Sequence, residues 1–337
     1  MANNNFKPFA AAAGANVMAQ ADYEALAALL TGFQSGTAQS AQLNKVWRQS
    51  SIMAAVLGQF IVDLTGQDAI DDGTTATLLA NLKMAVQAQS AAVVGQARNL
   101  TMSVTTASST AMLNADEIVV GTALGGQKYL LKQFSKTINL ATIGAGGMDV
   151  GSAPASGFVA LYAIYNPTTG ASALLATNAT SAFAPNVYGG ANMPAGYTAS
   201  ALVSVWPTNA SRQFIVGYQW DRSFSTAYVS IASTSSQIAA LTALSISSFA
   251  PPNARAVTGF MNVSGNNATN TQINIASSAS GIGQQQCVSS SASAGVLIGS
   301  ATFGKVPIMT PQTIYWSAYV ATGTFMAAAV YMTGYDI

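Results

Sequence analysis

The apolar positions change period near residue 100, and that change divides the chain into a helical front and a strand-rich remainder. Residues 1–14 are Asn-rich and then Ala-rich, a low-complexity opening that reads as extended or docked on another surface. From about Asn16, Tyr23, Leu26, Leu29, Leu30 and Phe33 recur at helical spacing, and Gly32 and Gly36 close the element. Ser40 reads as the N-cap of a second helix. Its stripe is Leu43, Val46, Trp47, Met53, Val56, Leu57, Phe60, Ile61 and Leu64, and Gly66 ends it. Asp71 and Asp72 place negative charge at the start of a third helix through Leu78, Leu79, Leu82 and Val86. Stripes this wide on so few helices predict packing against other copies or a larger assembly.

Past Leu100 the period is two. Short runs at Thr101–Thr105, Glu117–Val120, Lys128–Leu131 and Ile138–Ala141 precede a Gly-rich joint from Gly144 to Pro154. Phe158–Asn166 and Ala171–Asn178 flank Pro167-Thr-Thr-Gly170, a hairpin with Pro at the first turn position and Gly where φ must be positive. Ala199–Trp206 alternates and stops at Pro207. Phe214, Val216, Tyr218 and Trp220 share one face of the next strand, and Asp221-Arg222-Ser223 turns it back into Phe224–Ile231. Further strands are expected at Ala256–Val263, Gln272–Ala276, Gly295–Gly299, Thr313–Val320 and Thr324–Met332. The expected class is α+β, mainly β. A helical attachment region spans 1–100, a β-rich neck 101–150, and a jelly-roll-like antiparallel β-sandwich 151–337.

Charge sharpens the contrast between the two parts. Past Asp149 the acidic residues are Asp221 and Asp336 and the basic ones are Arg212, Arg222, Arg255 and Lys305. Soluble domains are about a quarter charged, so this surface is wetted by amides and hydroxyls, and ionic catalytic machinery is scarce in it. The net charge of +1 gives no push toward nucleic acid or acidic lipid. The absence of histidine removes Ser-His-Asp and Cys-His catalysis and imidazole metal sites. Cys287 is the single cysteine, so no intrachain disulfide or thiolate cluster is expected, and it reads as a small uncharged strand residue. No run of about 18 apolar residues is present for a spanning helix. The N-terminus lacks the pattern of a secretory signal, which points to assembly in a cytoplasm without membrane insertion. No cofactor or metal is expected.

Two sets of phrases carry a family resemblance. One is Phe6-Lys-Pro-Phe-Ala-Ala-Ala-Ala-Gly-Ala-Asn-Val-Met, followed by Tyr23-Glu-Ala-Leu through Gly32-Phe-Gln-Ser-Gly36. The other begins with Ala115-Asp-Glu-Ile-Val-Val, Ala141-Thr-Ile-Gly-Ala-Gly-Gly-Met-Asp and Ala163-Ile-Tyr-Asn-Pro-Thr-Thr-Gly. It continues with Tyr188-Gly-Gly-Ala-Asn-Met-Pro-Ala-Gly-Tyr197 into Val205-Trp-Pro-Thr-Asn. Over roughly residues 6–65 and 113–210 the chain resembles tail fibre, or receptor-binding, proteins of tailed bacteriophages and prophages. The resemblance implies a homotrimer placed in the virion tail and assembled in the host cytoplasm. Its N-terminus would be held by a tail or baseplate protein. Its distal β domain would adhere to a host polysaccharide, pilus or outer-membrane protein. Phe6, Phe9, Trp47 and Phe60 become candidates for virion attachment and trimer packing.

Neutral glycans and protein receptors both favour aromatic faces ringed with amides. That chemistry selects Tyr188, Asn192 and Tyr197 in the Gly-rich loop, Trp220, Asp221 and Arg222 at the turn, and Asn266 and Asn267 in a polar loop with Asn270. Trp316 alternates with Ile314 and Val320 and is assigned to the core. Adhesion without catalysis is therefore expected. The alternatives are a structural tail-tip or decoration protein, and a polysaccharide depolymerase. The last would need a carboxylate pair, and the β domain offers only Asp221 and Asp336.

Overall fold

The computed structural model describes residues 2–37, 39–88 and 92–337. Its elements in chain order are α1 (Gln20–Glu24), α2 (Ala28–Thr31), α3 (Ser40–Thr65), α4 (Ala76–Ala88), β1 (Ala97–Arg98), β2 (Thr101–Val104), β3 (Thr110–Gly121), β4 (Lys128–Asn139), β5 (Phe158–Tyr165), β6 (Ser172–Asn178), β7 (Ala199–Pro207), β8 (Gly217–Trp220), β9 (Ser223–Thr234), β10 (Ile238–Ser245), β11 (Ala256–Ala276), β12 (Gln285–Pro307), β13 (Thr313–Val320) and β14 (Thr324–Asp336). The protein is mainly β, with N-terminal helices and a large antiparallel sheet. Residues 1–91 with 126–128 form one compact unit, and 92–125 with 129–337 form another. Among the described residues no helix is long and apolar enough to cross a membrane.

In the helical unit the N-terminal segment is extended and lies on its own chain. Asn4 bridges in parallel to Ala69, its side-chain amide donates to Ala55 O at 2.9 Å, and Phe9 N donates to Ser51 Oγ at 2.8 Å. Phe9 meets Trp47 edge-on, with ring centroids 5.8 Å apart. The single helix expected from Asn16 to Phe33 is instead the two short pieces α1 and α2. Of its stripe only Tyr23 is buried, so no packing energy holds the long form together.

α3 does run as one helix, and Gly66 ends it in the left-handed conformation (φ 66°). Leu43, Val46, Ser50, Met53, Leu57, Phe60 and Leu64 fall at alternating steps of three and four, the a and d positions of a heptad. This chain half-buries the stripe at Leu43, Val46, Phe60 and Leu64 but leaves its middle open: Met53 is 60% and Leu57 47% exposed, and Trp47 beside it is 54% exposed. α3 buries its other side, through Lys45, Gly58 and Ile61.

The β unit is one hydrogen-bonded path, in the order β10-β13-β11-β14-β9-β8-β2-β3-β7-β5-β6, with β1 and β4 added on β3 and β12 on β11. The expected hairpin forms between β5 and β6. Asn166 Oδ1 accepts from Thr168 N and Thr169 N, and Gly170 takes φ 72°. β5 and β7 are buried on both faces. One face joins the main core, and the other supports a second cluster with Tyr162, Tyr188, Val205, Met193 and Tyr197.

Several strands run longer than their apolar patterns suggest. The expected run Lys128–Leu131 and the first half of Ile138–Ala141 belong to the single strand β4, which ends at Asn139 before a turn, and Gly295–Gly299 is the middle of the 23-residue β12. β10 carries no clear alternation and was not expected. These strands rely on ladder hydrogen bonds, and an edge or half-exposed strand tolerates Ser and Ala where a core strand needs Val or Ile. Phe214 does not share a strand face with Tyr218 and Trp220. It bridges to Ser108 and Thr208 and is fully buried against Trp206, whereas β8 begins at Gly217 and turns Tyr218 and Trp220 outward.

From residue 223 onward the chain makes four long ribbons side by side. β9 continues into β10, and β13 into β14, each across a short break. β14 pairs with the first half of β11 and β13 with its second half, while β12 flanks the other side. The partner changes at a bulge, where the β11 register slips between Gly265 and Asn270 against β12 and between Ser264 and Gly265 against β14. The segment from Gly144 to Pro154 is pinned along β6: Met148 bridges Ala176 and is wholly buried, and Asp149 N donates to Ala176 O at 2.7 Å.

Candidate functional site

The loop from Ala179 to Thr198, between β6 and β7, covers the outer face of β5 and β7, and most of its aromatic residues face inward. Tyr188 is buried, its ring edge-on to Tyr162 at 5.5 Å. Its hydroxyl donates to Asp149 Oδ2 at 2.9 Å and accepts from Asn192 N at 3.3 Å. Burial, then the Asp149 carboxylate, push the Tyr188 phenol up to about 12, and burial raises Tyr162 as well. Tyr197 is half-buried against the same cluster, so both tyrosines pin the loop, while Asn192 is exposed. Asp149, Tyr188, Tyr162 and the Tyr162 hydroxyl bond to Pro185 O (2.8 Å) make the Gly-rich loop a rigid cover.

Phe183, which sequence reasoning passed over, is the aromatic residue of this loop that reaches solvent, 55% exposed. It lies between two small cavities. One, of about 270 Å³, is lined by Tyr162, Asn178, Phe183, Tyr188 and Gly190. The other, of about 210 Å³, is lined by Phe183, Asn186, Leu202, Arg222, Asn253, Arg255 and Ile337.

Trp220, Asp221 and Arg222 end up in three different situations. Trp220 and Ser223 face each other across the strands, which leaves Asp221 and Arg222 as a two-residue hairpin turn with Asp221 left-handed at φ 50°. Trp220 is 61% exposed. The Asp221 carboxylate accepts from Leu100 N at 3.1 Å. The Arg222 side chain turns into the smaller cavity and donates to Gly95 O at 2.8 Å. Burial, and behind it the Arg255 charge, lower the Arg222 guanidinium below its ordinary value.

Asn266 and Asn267 are not in a loop. They sit in the β11 bulge, exposed, with Asn267 left-handed (φ 51°), and their main-chain oxygens meet the turn at Gly323. Asn tolerates the left-handed region, so an Asn-rich run can mark a bulge inside one strand as readily as a loop between two. Trp316 is buried, as its alternation requires. Cys287 is buried, which pushes its thiol up.

A platform that the sequence did not reveal lies across three neighbouring strands. Phe260 of β11 is paired with Tyr331 of β14, and their rings stack with centroids 4.5 Å apart at 12°. Tyr228 of β9 stands edge-on to both, at 5.5 and 5.7 Å, and is 65% exposed. Met261 and Val263 point inward, so alternation alone puts Phe260 outside. What alternation could not supply is the register that gathers the three rings. A stacked pair with a third ring beside it presents an apolar face of the kind that meets a sugar ring or an aliphatic side chain.

Neither acidic side chain beyond Asp149 is idle. Asp336 pairs with Lys305 and accepts from Ser223 Oγ at 2.6 Å, and Asp221 holds Leu100 as described.

No protein-family model and no curated protein matches this chain. Among solved structures it is similar to the crystal structure of an exo-beta-1,3-galactanase from Phanerochaete chrysosporium with galactose, at 10% identity over 67% of this chain and 54% of that one, with a TM-score of 0.18. The chain thus spans about half the length of that protein, and a likeness this faint carries no argument about fold or activity.

Proposed function

We propose that this chain is a tail fibre of a tailed bacteriophage, a homotrimer that is held to the tail by its helical unit and adheres to a bacterial surface through its β unit. The observation that carries the adhesive role is the exposed platform of Tyr228, Phe260 and Tyr331, built on paired strands and therefore rigid. Exposed Trp220 and Phe183 extend the supply of aromatic faces. Binding rather than hydrolysis is favoured because Asp221 and Asp336 are each engaged in holding strands and turns.

The trimer is supported by the a/d stripe of α3, whose Met53 and Leu57 a single copy leaves in water. Phe6, Phe9, Trp47 and Phe60 lie on or beside this helix, and the edge-on Phe9–Trp47 pair belongs to the surface offered to other copies or to the tail. The β unit is read as a two-layered sandwich, each copy presenting one platform. Three copies per fibre, and several fibres per virion, multiply weak contacts into firm adhesion.

The test is retention of the full-length protein on purified envelope polysaccharide, on pili and on outer-membrane protein, together with its ability to block phage adsorption. Binding to one of them, lost when Phe260 and Tyr331 are both replaced by Ala, is the expected result. A folded protein that binds none of the three and leaves adsorption unchanged would instead make this a structural component of the tail.

A further inference from the structure

The smaller cavity of the β unit has an electrostatic imbalance that the adhesive role does not explain. Arg222 and Arg255 both line it, within a volume of about 210 Å³. Arginine keeps its charge near neutral pH and carries five N–H donors in a planar fork. Of the Arg222 donors, one is engaged, by Gly95 O. Among the described residues the one ion pair is Lys305–Asp336, so no carboxylate oxygen comes within 4.0 Å of either guanidinium.

The acids that could have served are held elsewhere. Asp221, next to Arg222 in sequence, faces away to Leu100, and Asp336 is shared by Lys305 and Ser223. Asp149 receives the Tyr188 hydroxyl. Two guanidinium groups thus line one small space with no carboxylate oxygen within 4.0 Å of either, an arrangement that an entering anion would relieve.

The rest of the wall is firm. Asn253 is buried, and its side-chain amide clamps Ala184 in both directions, accepting at 2.9 Å and donating at 2.8 Å. That clamp fixes the neighbouring Phe183 at the rim, while Leu202 and Ile337 supply apolar wall. A space of this size is below the range of about 300–1,000 Å³ usual for drug-sized ligands, so it admits one compact group.

We infer that the pocket between Arg222 and Arg255 binds a compact oxyanion, the carboxylate or phosphate group of a small acidic ligand, with the two guanidinium forks on its oxygens and the Phe183 ring against its carbon skeleton. The site is distinct from the Tyr228–Phe260–Tyr331 platform and stands whether or not the protein is an adhesin.

Calorimetric titration of the full chain at low ionic strength with inorganic phosphate, with glucuronate and with glucose tests this. Saturable one-site binding of at least one anion is expected, with no binding of glucose. Tighter phosphate binding would identify a phosphoryl ligand and tighter glucuronate binding a carboxylate one. Arg255→Gln, an exposed position whose side chain holds nothing in place, should weaken the anion about tenfold or more. Arg222→Gln should do the same, with circular dichroism checking that its fold survives the loss of the Gly95 contact. If both anions bind no better than glucose, or if Arg255→Gln keeps wild-type affinity, the inference is overturned.

Discussion

The Tyr335 hydroxyl of β14 donates a 2.6 Å hydrogen bond to the main-chain oxygen of Val205 in β7. In the sheet path β9, β8, β2 and β3 lie between those two strands. At about 4.8 Å per strand, a flat sheet would hold them roughly 24 Å apart. The sheet must therefore curl over its own core, and this buried bond fastens the two ends of the curl. Tyr335→Phe removes the donor and keeps the ring, which packs on Phe224 and Phe249. The expected loss is about 1–2 kcal/mol in urea unfolding, with circular dichroism of the folded form unchanged.

Alkaline pH should weaken the fold through the same residue. Burial raises the Tyr335, Tyr162 and Tyr188 phenols above the free value of about 10. The folded state holds these protons while the unfolded chain releases them. Their contribution is therefore complete below about pH 10 and is lost as pH rises toward the folded values, about 12 for Tyr188. Urea midpoints should be level from about pH 7 to 9 and fall between about pH 10 and 12. Tyr335→Phe should fall less steeply. A midpoint that is flat to pH 12 would contradict the assignment.

Stacking at the platform predicts a separation of binding from stability. Phe260→Ala or Tyr331→Ala removes a half-exposed ring whose pairing contributes about 0.5–1.5 kcal/mol. Retention on the host component should drop about tenfold or more in each single variant, while the melting temperature moves by only a few degrees. Equal loss from Tyr315→Ala, a position outside the platform, would show that the platform is not the contact.

The exposed seam of α3 predicts association through the helical unit. Met53→Glu with Leu57→Glu places charge at neighbouring d and a positions. Sedimentation equilibrium should give a trimer for the natural chain and a monomer for the double variant. A natural chain that sediments as a monomer at micromolar concentration would exclude the trimer.

Gly323 is required by the neighbouring bulge. It adopts φ +84°, and a methyl group there would lie 2.2 Å from the Asn267 oxygen and 2.5 Å from that of Asn266. Gly323→Ala should destabilise the protein by about 2 kcal/mol or more, combining left-handed strain with a clash against main chain that cannot rotate away. Asn267→Gly, which relieves strain at φ 51° without adding atoms, should be neutral or mildly stabilising. Thermal unfolding of the two variants distinguishes these signs.

The sequence was most legible where local chemistry decides structure. The Pro167–Gly170 hairpin, the end of α3 at Gly66 and the inward Trp316 all follow from residue type and spacing. Legibility failed where the deciding partner is remote. The run around Asn266 resembles a loop because its amides break the alternation, yet ribbons on both sides hold it as one strand. Tyr188 resembles a binding residue, but its hydroxyl is engaged by Asp149, 39 positions away. Tyr228, Phe260 and Tyr331 belong to three separate strands, and their meeting depends on register, which no single stretch encodes. The arginine cavity needs the same long reach, since Arg222 and Arg255 lie just before separate strands, β9 and β11, and meet beside the end of β14, where Asp336 is paired with Ser223 on one side and Ala256 on the other.

Among the described residues β12 is paired along one side alone, by β11. An outer strand of that length offers peptide groups, and these repeat identically whatever side chains they carry. A neighbour laid along it would take its alignment from that repeat. Outward positions such as Val288, Val296 and Ile298 could then change without altering the peptide groups that such a neighbour would meet. Surface novelty and architectural constancy are thereby uncoupled along a single border.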